Sequence, residues 1–512
     1  MTLNVLDFDL FTLGAQKMLN YRYVFATAIV IFGASFQFGF QTGVINSPTP
    51  LIKAFIIEVC EKRSGNLPST QYVDAMSSLV VAGFPVGGIF GAIFGGSVSN
   101  KMGRKLSLFI FNVPMIVGSL LMMACQAAVS FEMIIVGRIL VGFACGAFTS
   151  IAPVYLSEIA PINIRGISGI MHQLAVVCAI LLSQIFGLRE LMGTPTIWPY
   201  LLGLTLIPSG VLLFCLWICP DSPRYILLHS QNLEGAKSAL RWFRGPNSEI
   251  IDAEIEELLA EQEGHHGEEV NKFSFKDLFR SKALKTALFV AVVAHLAQQF
   301  SGINAALFYS TSLFEAIGLK TEAVYATLGV GSMMVFITIV SIFLIERVGR
   351  RILFIGGLGV MLFSAIIITI SLTLRTLAPW LVFLAMTFIY IFVGGFAIGT
   401  GSIPWFLVAE MFVQETRDPA VVITVIVNWV GQIVISLGYP PLLKYLEDYS
   451  FVPFIGLLAI FIGLLYYFLP ETKGLTPREV QDEFVRMTGG DEEIDMSPTS
   501  HSRSTPSANS TR

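Results

Sequence analysis

Charged residues are scarce in this sequence. Asp, Glu, Lys and Arg supply 13% of its 512 residues, and hydrophobic residues supply 54%. Soluble globular domains have about 25% charged residues and are about 45–50% apolar even with Gly counted. The basic residues stand in short clusters at the ends of apolar runs, so they form no patch of the size that binds nucleic acid. The sequence therefore predicts a membrane protein, surrounded by the lipid bilayer, and not a nucleic-acid-binding protein.

Motifs for metal, nucleotide or catalytic chemistry are also missing. None of the six cysteines has the spacing of metal ligands, and Cys215 and Cys219 lie among Leu, Trp and Ile, as small buried residues do. Cys60 stands alone in a polar loop, so no disulfide framework is expected. The chain has no Gly-Lys-Ser/Thr phosphate loop, which argues against ATP as an energy source, and no nucleophile–base pair. We therefore expect neither an enzyme nor a cofactor.

Twelve apolar segments dominate the chain, and we call them spans one to twelve. Each is close to the ~20 residues that a transmembrane helix needs. They run approximately over 23–45, 77–98, 107–128, 133–155, 167–188, 199–219, 286–313, 324–345, 352–374, 380–406, 419–440 and 451–469. The pattern predicts an all-α membrane protein with twelve transmembrane helices.

The remaining segments are polar. Residues 1–22 precede the first span, 220–283 form a linker with expected surface helices at 233–243 and 249–263, and 470–512 form a tail that we expect to be largely disordered, since it is rich in Ser, Thr and Pro. Lys and Arg cluster after spans two, four, eight and ten, on the same side as the long linker. Because basic loops stay in the cytoplasm, both termini are expected there.

Three sequence motifs recur six spans apart. Asn100-Lys-Met-Gly-Arg-Lys105 returns as Glu346-Arg-Val-Gly-Arg-Arg351, Glu158 with Arg165 returns as Glu410 with Arg417, and Pro220-Asp-Ser-Pro-Arg224 returns as Pro470-Glu-Thr-Lys-Gly474. Repeats of this kind indicate two homologous six-helix halves, with a ligand site between them at the middle of the membrane. We therefore expect pseudo-symmetric halves at 23–219 and 284–469.

The same motifs place charged residues where the spans meet the cytoplasm. We expect two networks of ion pairs there, namely Arg104, Arg138, Glu158 and Arg165 in the first half, and Glu346, Arg350, Arg351, Glu410 and Arg417 in the second. One hypothesis is that they latch the cytoplasmic ends together while the opposite side is open, so that breaking them shifts the conformational equilibrium. The alternative is that they only anchor helix ends and set the topology.

Three amide side chains lie within seven residues of span seven. Gln298, Gln299 and Asn304 are costly in hydrocarbon unless they face a protein interior or a water-filled cavity. They point in different directions on a regular helix, so they converge on one ligand more easily if the helix loosens at Ser301-Gly302. Neutral amides suit a neutral ligand that is rich in hydroxyl groups. The alternative is hydrogen bonding between helices.

Further uncharged polar or aromatic residues lie in other spans, and the candidates are Gln41, Gln173, Gln184, Asn428 and Trp405. A sugar site requires amides and aromatic faces, because hydroxyl groups bond to amides and C–H faces stack on rings. No Asp or Glu lies in the central part of any span, whereas proton-driven pumps carry a membrane-embedded acid. His172 and His295 are the remaining titratable candidates, so passive transport is favoured over proton coupling.

Together these residues resemble the sugar porter branch of the major facilitator superfamily, and in particular the animal facilitative glucose transporters. The markers are Gly103-Arg-Lys105, Glu158 to Arg165, Pro220-Asp-Ser-Pro-Arg224, Gln298-Gln299 to Asn304, Gly349-Arg-Arg351, Ile403-Pro-Trp405 and Pro470-Glu-Thr-Lys-Gly474. The resemblance implies the major facilitator fold and alternating access between two halves. It also implies that the sugar is contacted by Gln173, Gln298, Gln299, Asn304, Asn428 and Trp405.

Several positions depart from the glucose-type pattern. His295-Leu-Ala stands where glucose-preferring members have Gln-Leu-Ser, Met334 where they usually have Asn, and Ala397 where they usually have Glu. Proton-coupled relatives carry Asp in place of Gln41, which agrees with passive transport. We expect facilitative uniport of a hexose, D-glucose first, across the plasma membrane. A fructose or dual hexose facilitator, a proton-coupled symporter and a non-transporting sugar sensor stay open as alternatives, and no pattern indicates an oligomeric state.

Overall fold

The computed structural model describes residues 20–161, 165–246, 248–266, 277–279, 281–316, 318–319 and 322–489. The predicted N-terminal segment is therefore covered only from residue 20, and the tail from residue 490 onward, which was expected to be disordered, lies outside the described residues. The side chains of Arg165 and Glu346 lie outside them as well.

Helices account for the twelve predicted spans. Among the described residues, ten helices are long and apolar enough to cross a membrane, and two shorter apolar helices complete the set. In chain order the spans are Tyr21–Gly43, Thr70–Met102, Arg104–Ala124, Glu132–Ile159, Arg165–Phe186, Trp198–Ile218, Lys282–Phe300 with Ile303–Ala316, Ala323–Val348, Arg350–Thr373, Leu381–Met411, Gln414–Leu446 and Val452–Phe468. The predicted all-α architecture is confirmed. Span two begins earlier than expected because the Ser69 side chain caps it, accepting a hydrogen bond from the Tyr72 N–H.

Shorter helices lie on both sides of the spans. Thr49–Ser64 connects spans one and two on the side that we call the far side. The opposite side, which we call the linker side, carries Pro223–Leu228, Leu233–Arg244 and Ser248–His266, and Pro477–Thr488 follows span twelve there. The two surface helices expected in the linker are therefore present.

Arg244 joins the linker to the first half. Its guanidinium pairs with Glu254 at 2.8 Å and donates a hydrogen bond to the Ile159 carbonyl at 2.7 Å. Ile159 is the last residue of span four, where backbone carbonyls have no partner within the helix. The linker therefore caps a membrane span instead of hanging free from it.

Glycines allow spans two and four to approach backbone to backbone. A Cβ atom at Gly87 would lie 1.9 Å from the Ile139 carbonyl oxygen, and one at Gly142 would lie 2.0 Å from the Phe84 carbonyl oxygen. Such close approach excludes a side chain at either position. In membranes, where lipid is as apolar as Leu, this backbone proximity supplies much of the packing between helices. The Gly-rich sequences of these spans therefore determine which faces meet.

The first copy of the repeated motif forms a helix cap. Gly103 has a φ of 89°, which glycine adopts without steric penalty, and span three begins directly after it. The Asp221 carboxylate accepts hydrogen bonds from the N–H groups of Arg104 and Lys105 at 3.0 and 3.1 Å. An acid at a helix N-terminus satisfies N–H groups that have no helical partner and complements the helix dipole. Burial raises the pKa of this carboxyl, and the N–H bonds oppose that rise.

The second copy repeats the cap in the other half. Gly349 has a φ of 106°, and span nine begins after it. Glu471 accepts hydrogen bonds from the N–H groups of Arg350 and Arg351 at 2.8 and 3.1 Å. Both acids come from the motif that follows the sixth span of their own half. The repeat therefore ties the last span of each half to the start of its third.

Contacts between the halves close the far side. They join the Asn46 amide to Ser310 and Thr311, Lys444 to Asp74 at 3.8 Å, and Tyr325 to Glu190 at 2.5 Å. The hydrogen bond from the Tyr325 hydroxyl holds the pKa of the Glu190 carboxyl below its usual value. The residues lie on spans two, seven, eight and eleven and in the loops that follow spans one and five, so several elements of both halves take part in the closure.

Trp429 determines where spans two and eleven cross. A Cβ atom at Gly88 would lie 2.6 Å from its ring, so only glycine fits beneath it. The ring also meets Phe38 and Phe84 edge to face, with centroids 6.0 and 5.9 Å apart. Trp429 is 2% exposed. It therefore packs one half against the other.

Candidate functional site

A break in span seven organises the candidate site. The helix ends at Phe300 and restarts at Ile303, and Gly302 between them has a φ of 93°, which residues with a Cβ rarely adopt. The Ser301 hydroxyl donates to the Gln298 carbonyl at 2.7 Å and so satisfies one acceptor near the helix end. The loosening expected at Ser301-Gly302 is confirmed.

Span ten leaves two backbone carbonyls without helical partners beside this break. The Thr400 carbonyl would accept from residue 404, but Pro404 has no N–H group. The Gly401 carbonyl would accept from the N–H of Trp405, but that N–H donates instead to the Ser402 carbonyl at 3.2 Å. The side-chain nitrogen of Gln298 donates to both carbonyls, at 2.7 and 2.9 Å. An amide in span seven thereby satisfies the backbone carbonyls that the irregular part of span ten leaves unbonded. Inside a membrane every backbone polar group needs such a partner, because no water is available.

Three more amides complete a cluster with Gln298, which we call the amide cluster. The Asn428 side-chain nitrogen donates to Gln298 Oε1 at 2.6 Å, and the Asn428 oxygen accepts from Gln299 Nε2 at 2.9 Å. The Asn304 nitrogen donates in turn to Gln299 Oε1. All four side chains are buried. The structure thus brings together four of the predicted sugar contacts, from spans seven and eleven.

His295 and Trp405 form an aromatic wall next to the amide cluster. His295 Nδ1 lies 3.1 Å from the Asn428 side-chain nitrogen. The Trp405 ring meets the imidazole edge to face, with centroids 5.1 Å apart and an interplanar angle of 85°. His295 is fully buried, whereas Trp405 is 37% exposed. The wall therefore combines an accessible ring with hydrogen-bonding groups.

Span five carries two predicted contacts, and among the described residues neither makes a hydrogen bond to the amide cluster. Gln173 is half-buried, and the adjacent His172 bonds to the Ser35 hydroxyl at 2.7 Å. Gln184 lies about 16 Å farther along the helix, at 1.5 Å per residue. It is buried, and neither atom of its amide group has a partner among the described residues. A Cβ atom at Gly331 would lie 2.3 Å from Gln184 Oε1, so the amide occupies space between spans five and eight.

Two predicted residues form a separate network inside the first half. Arg138 donates to the Gln41 carbonyl at 2.8 Å and to its Oε1 at 3.1 Å, and Gln41 Nε2 donates to Thr205 at 3.0 Å. The predicted pairing of Arg138 with Glu158 is wrong, because both lie on span four and about 20 residues separate them, a rise of about 30 Å. Both ends of the Gln41 amide bond within the first half, and its role as a sugar contact stays a prediction.

Among the described side chains, the predicted networks include an ion pair in each half. Arg104 donates to Glu158 at 2.9 Å, and Arg350 donates to Glu410 at 3.0 Å. Glu410 also accepts a hydrogen bond from the Thr472 hydroxyl. Each pair joins spans within a half. Their proposed role as latches for the conformational equilibrium stays a prediction.

Two other predicted members of these networks contact backbone carbonyls, and two lie outside the described side chains. Arg351 donates to the Tyr466 carbonyl at 2.6 Å and lies 5.6 Å from the centroid of that ring. Arg417 donates to a backbone carbonyl at 3.4 Å. The side chains of Arg165 and Glu346 are not among those described, so their roles stay predictions.

Sequence reasoning missed the caps formed by Asp221 and Glu471. Both acids occur at the same place in the two copies of a repeated motif, directly after the proline that ends span six or span twelve. That recurrence was the available signal, because an acid near a helix N-terminus has a recognised electrostatic role. The sequence did not indicate which helix each acid would cap.

Comparison with known proteins supports the fold and identifies the family. A family model described as sugar (and other) transporter matches residues 26–484. The chain is 39% identical over 472 residues to solute carrier family 2, facilitated glucose transporter member 3, of Canis lupus familiaris, which covers 92% of this chain and 94% of that protein. The protein of the same name from Homo sapiens is 37% identical with the same coverage.

A similar fold is known from solved structures. The partially occluded inward open conformation of the xylose transporter XylE from E. coli matches with a TM-score of 0.74 at 23% identity, covering 89% of this chain and 100% of that one. XylE is described as a major facilitator superfamily protein, so the predicted twelve-helix fold of that superfamily is confirmed. With a family model over most of its length and relatives close to 40% identical, the chain belongs to the sugar transporter family.

Proposed function

We propose that this protein is a passive uniporter that carries a hexose, D-glucose first, by alternating access. The observation that supports this most is the amide cluster at the break in span seven. Neutral donors and acceptors beside an accessible aromatic ring suit a neutral ligand with many hydroxyl groups. The names of the relatives, facilitated glucose transporter member 3, support glucose as the hexose.

The proposed sugar contacts are Gln298, Gln299, Asn304, Asn428, Gln173 and Trp405. In the described conformation the amides of the cluster bond to one another and to backbone carbonyls. Binding would exchange amide–amide bonds for amide–hydroxyl bonds, an exchange that changes the free energy little because each bond made replaces one broken. The site can therefore stay satisfied without a ligand and still accept one.

The passive mode is supported by the environment of Arg138. Proton coupling requires a group within the membrane that gains and loses a proton. The guanidinium of Arg138 contacts Gln41, an amide that stays neutral. Proton symport is the second candidate, because the fold is shared with XylE, which is described as a proton:xylose symporter.

The proposed orientation places the linker side in the cytoplasm and the protein in the plasma membrane. Basic residues cluster in the loops of that side, which favours retention in the cytoplasm. Because far-side contacts join the halves, the sugar would reach the amide cluster from the cytoplasm in this conformation. It would reach the cluster from outside after those contacts separate.

The experiment is uptake of labelled glucose and fructose by the purified protein in liposomes, with and without an inward proton gradient. We expect saturable glucose influx that equilibrates and is indifferent to the gradient. Gln299→Ala should reduce it strongly, whereas Gln126→Ala, which changes an exposed amide bonded to the Pro195 carbonyl, should not. Accumulation above equilibrium would overturn the passive mode, and dominant fructose uptake would change the sugar. Absence of both fluxes would leave a sugar sensor as the better reading.

A further inference from the structure

A cavity lies at the far side of the second half, where spans seven, nine and eleven end. Its volume is about 200 Å³, and one water molecule takes about 30 Å³, so the cavity has room for a small organic molecule. Its apolar walls are Leu313 of span seven, Leu372 of span nine and Leu443 of span eleven. None of these residues is among the proposed sugar contacts, so the cavity is a separate feature of the molecule.

The charged residues that line this cavity leave it with an excess of negative charge. Arg375 Nη2 pairs with Asp448 Oδ1 at 3.0 Å, so these two charges offset each other. Glu447 also lines the cavity, and it forms no ion pair with a described residue. Its backbone φ of 43° is one that residues with a Cβ rarely adopt, and strained residues of this kind cluster at ligand sites. The cavity therefore suits a cation better than an anion.

Ser450 supplies a hydrogen-bonding group that the protein does not use. This residue is fully buried and lines the cavity, and its hydroxyl has no partner among the described residues. The neighbouring hydroxyl of Tyr439 does not satisfy it, since that group is unpartnered as well. Buried polar atoms are rarely left without a partner, so an unpartnered hydroxyl at a cavity indicates that the cavity holds something that bonds to it.

We propose that this cavity is a second binding site of the protein, for a small organic cation with a primary ammonium group and an apolar body, and we call it the ammonium site. An ammonium group only donates hydrogen bonds, so the Glu447 carboxylate and the Ser450 oxygen would accept from it. The hydrocarbon body of the ligand would lie against the three leucines and be removed from water there. The ligand thereby uses both the unpaired charge and the unpartnered hydroxyl.

One wall of the ammonium site belongs to a helix that also closes the far side. Leu313 lies on Ile303–Ala316, and the same helix carries Ser310 and Thr311, which contact Asn46 of the first half. Opening the far side breaks these contacts, and a displacement of the helix would move Leu313 relative to spans nine and eleven. A ligand that fits the cavity in the closed form therefore stabilises that form. Its effect on flux rests on the transport proposed above, whereas its binding does not.

The test uses n-butylammonium as the probe and n-butanol as its uncharged counterpart. Heat unfolding of the purified protein reports binding, because a ligand of the folded form raises the melting temperature. Uptake of labelled glucose in liposomes reports the effect on transport. For the natural protein we expect n-butylammonium to raise the melting temperature and to reduce glucose influx, both in a saturable way. The same concentrations of n-butanol should do neither.

Two variants remove the proposed acceptors, and a third is the matched control. Glu447→Gln keeps the size of the side chain without its charge, and it should raise the half-saturating concentration of n-butylammonium about tenfold, the order of one charge-assisted hydrogen bond. Ser450→Ala should raise it about fivefold, the order of one neutral hydrogen bond. Glu58→Gln changes an exposed acid on another far-side helix, where Glu58 pairs with Lys62 at 2.6 Å, and should respond as the natural protein does.

The outcomes separate the ammonium site from the proposed function. Protection that is weakened in Glu447→Gln and Ser450→Ala but retained in Glu58→Gln would support the site. Absence of protection in the natural protein would mean that the cavity holds water alone, and equal protection in Glu447→Gln or by n-butanol would also overturn the site. Protection without inhibition of influx would overturn only the coupling to closure. A protein that takes up no glucose would defeat the proposed transport, while heat protection would still decide on the site.

Discussion

Replacing Gln184 by Leu is expected to favour the conformation in which the far side is closed. The Gln184 amide is buried between spans five and eight, and neither its oxygen nor its nitrogen has a partner among the described residues. Leucine is similar in size and has no polar atom to desolvate. Because the two spans belong to different halves, opening the far side should separate them there and return the amide to water.

The magnitude follows from the cost of an unsatisfied amide. A buried polar group without a hydrogen bond costs about 1–3 kcal/mol. The penalty applies to the closed form and is relieved in the open form, so Gln184→Leu should shift the equilibrium by about 5- to 150-fold toward closure. The apparent affinity for sugar added at the far side should fall in proportion to the loss of the open form. Affinity measured from the linker side should be unchanged or slightly higher.

Two measurements test this shift. Half-saturation constants for glucose influx and efflux are compared in liposomes of known protein orientation. Spin labels at positions 72 and 445, where exposed tyrosines mark the far-side ends of spans two and eleven, report the distance between the halves. The labels are introduced in a background without reactive cysteines. We expect the long-distance population to shrink in Gln184→Leu and to persist in Gln126→Leu, which alters an exposed amide.

Two results for Gln184→Leu would contradict a desolvation penalty in the closed form. If Gln184→Leu left both half-saturation constants and the distance distribution as in the natural protein, the amide would carry no penalty in the closed form. A larger long-distance population would show that Gln184 stabilises closure, through a partner such as bound water. Either result would contradict the desolvation argument.

Three further predictions follow from the described contacts. Lys444→Asp should open the far side by placing two acids together, whereas Lys444→Ala should do so less, because an exposed pair is worth only ~0–1 kcal/mol; spin-label distances check this, and equal distances in the two variants would contradict it. Gly103→Ala should lower the melting temperature, because its φ is 89° and a Cβ would lie 2.2 Å from a carboxylate oxygen of Asp221, a strain of about 1–3 kcal/mol. Gly96→Ala, which has open space around it, is the control. Equal melting temperatures for the two variants would contradict the strain. Glu158→Gln should favour the form open at the linker side if the ion pair with Arg104 acts as a latch. The measurement is the ratio of the affinities of inhibitors that bind from the linker side and from the far side. An unchanged ratio would show that the pair only anchors the helix ends.

Apolar length and repeated motifs were sufficient to predict the architecture. Because a helix needs about 20 apolar residues to cross a membrane, each span can be identified from its own segment of the sequence. The break at Ser301-Gly302 was predictable for a similar reason, since glycine tolerates the φ of 93° that the turn needs. The false pairing of Arg138 with Glu158 could also have been avoided from sequence. Both residues belong to one span, and the helix rise alone separates them.

Only the tertiary structure decided which polar groups meet. Gln298 bonds to carbonyls that Pro404 and the backbone of Trp405 leave free in a distant span. The sequence shows that these residues exist, but the approach of spans seven and ten depends on packing across the whole half.

The same holds for polar groups without partners. The amide of Gln184 and the Nε2 atom of His295 are unpaired among the described residues because of what surrounds them. Sequence alone determined that this chain crosses a membrane twelve times in two related halves, because those properties are local and repeated. The satisfaction of each buried donor and acceptor depends on atoms far away in the chain, so it is a property of the folded molecule alone.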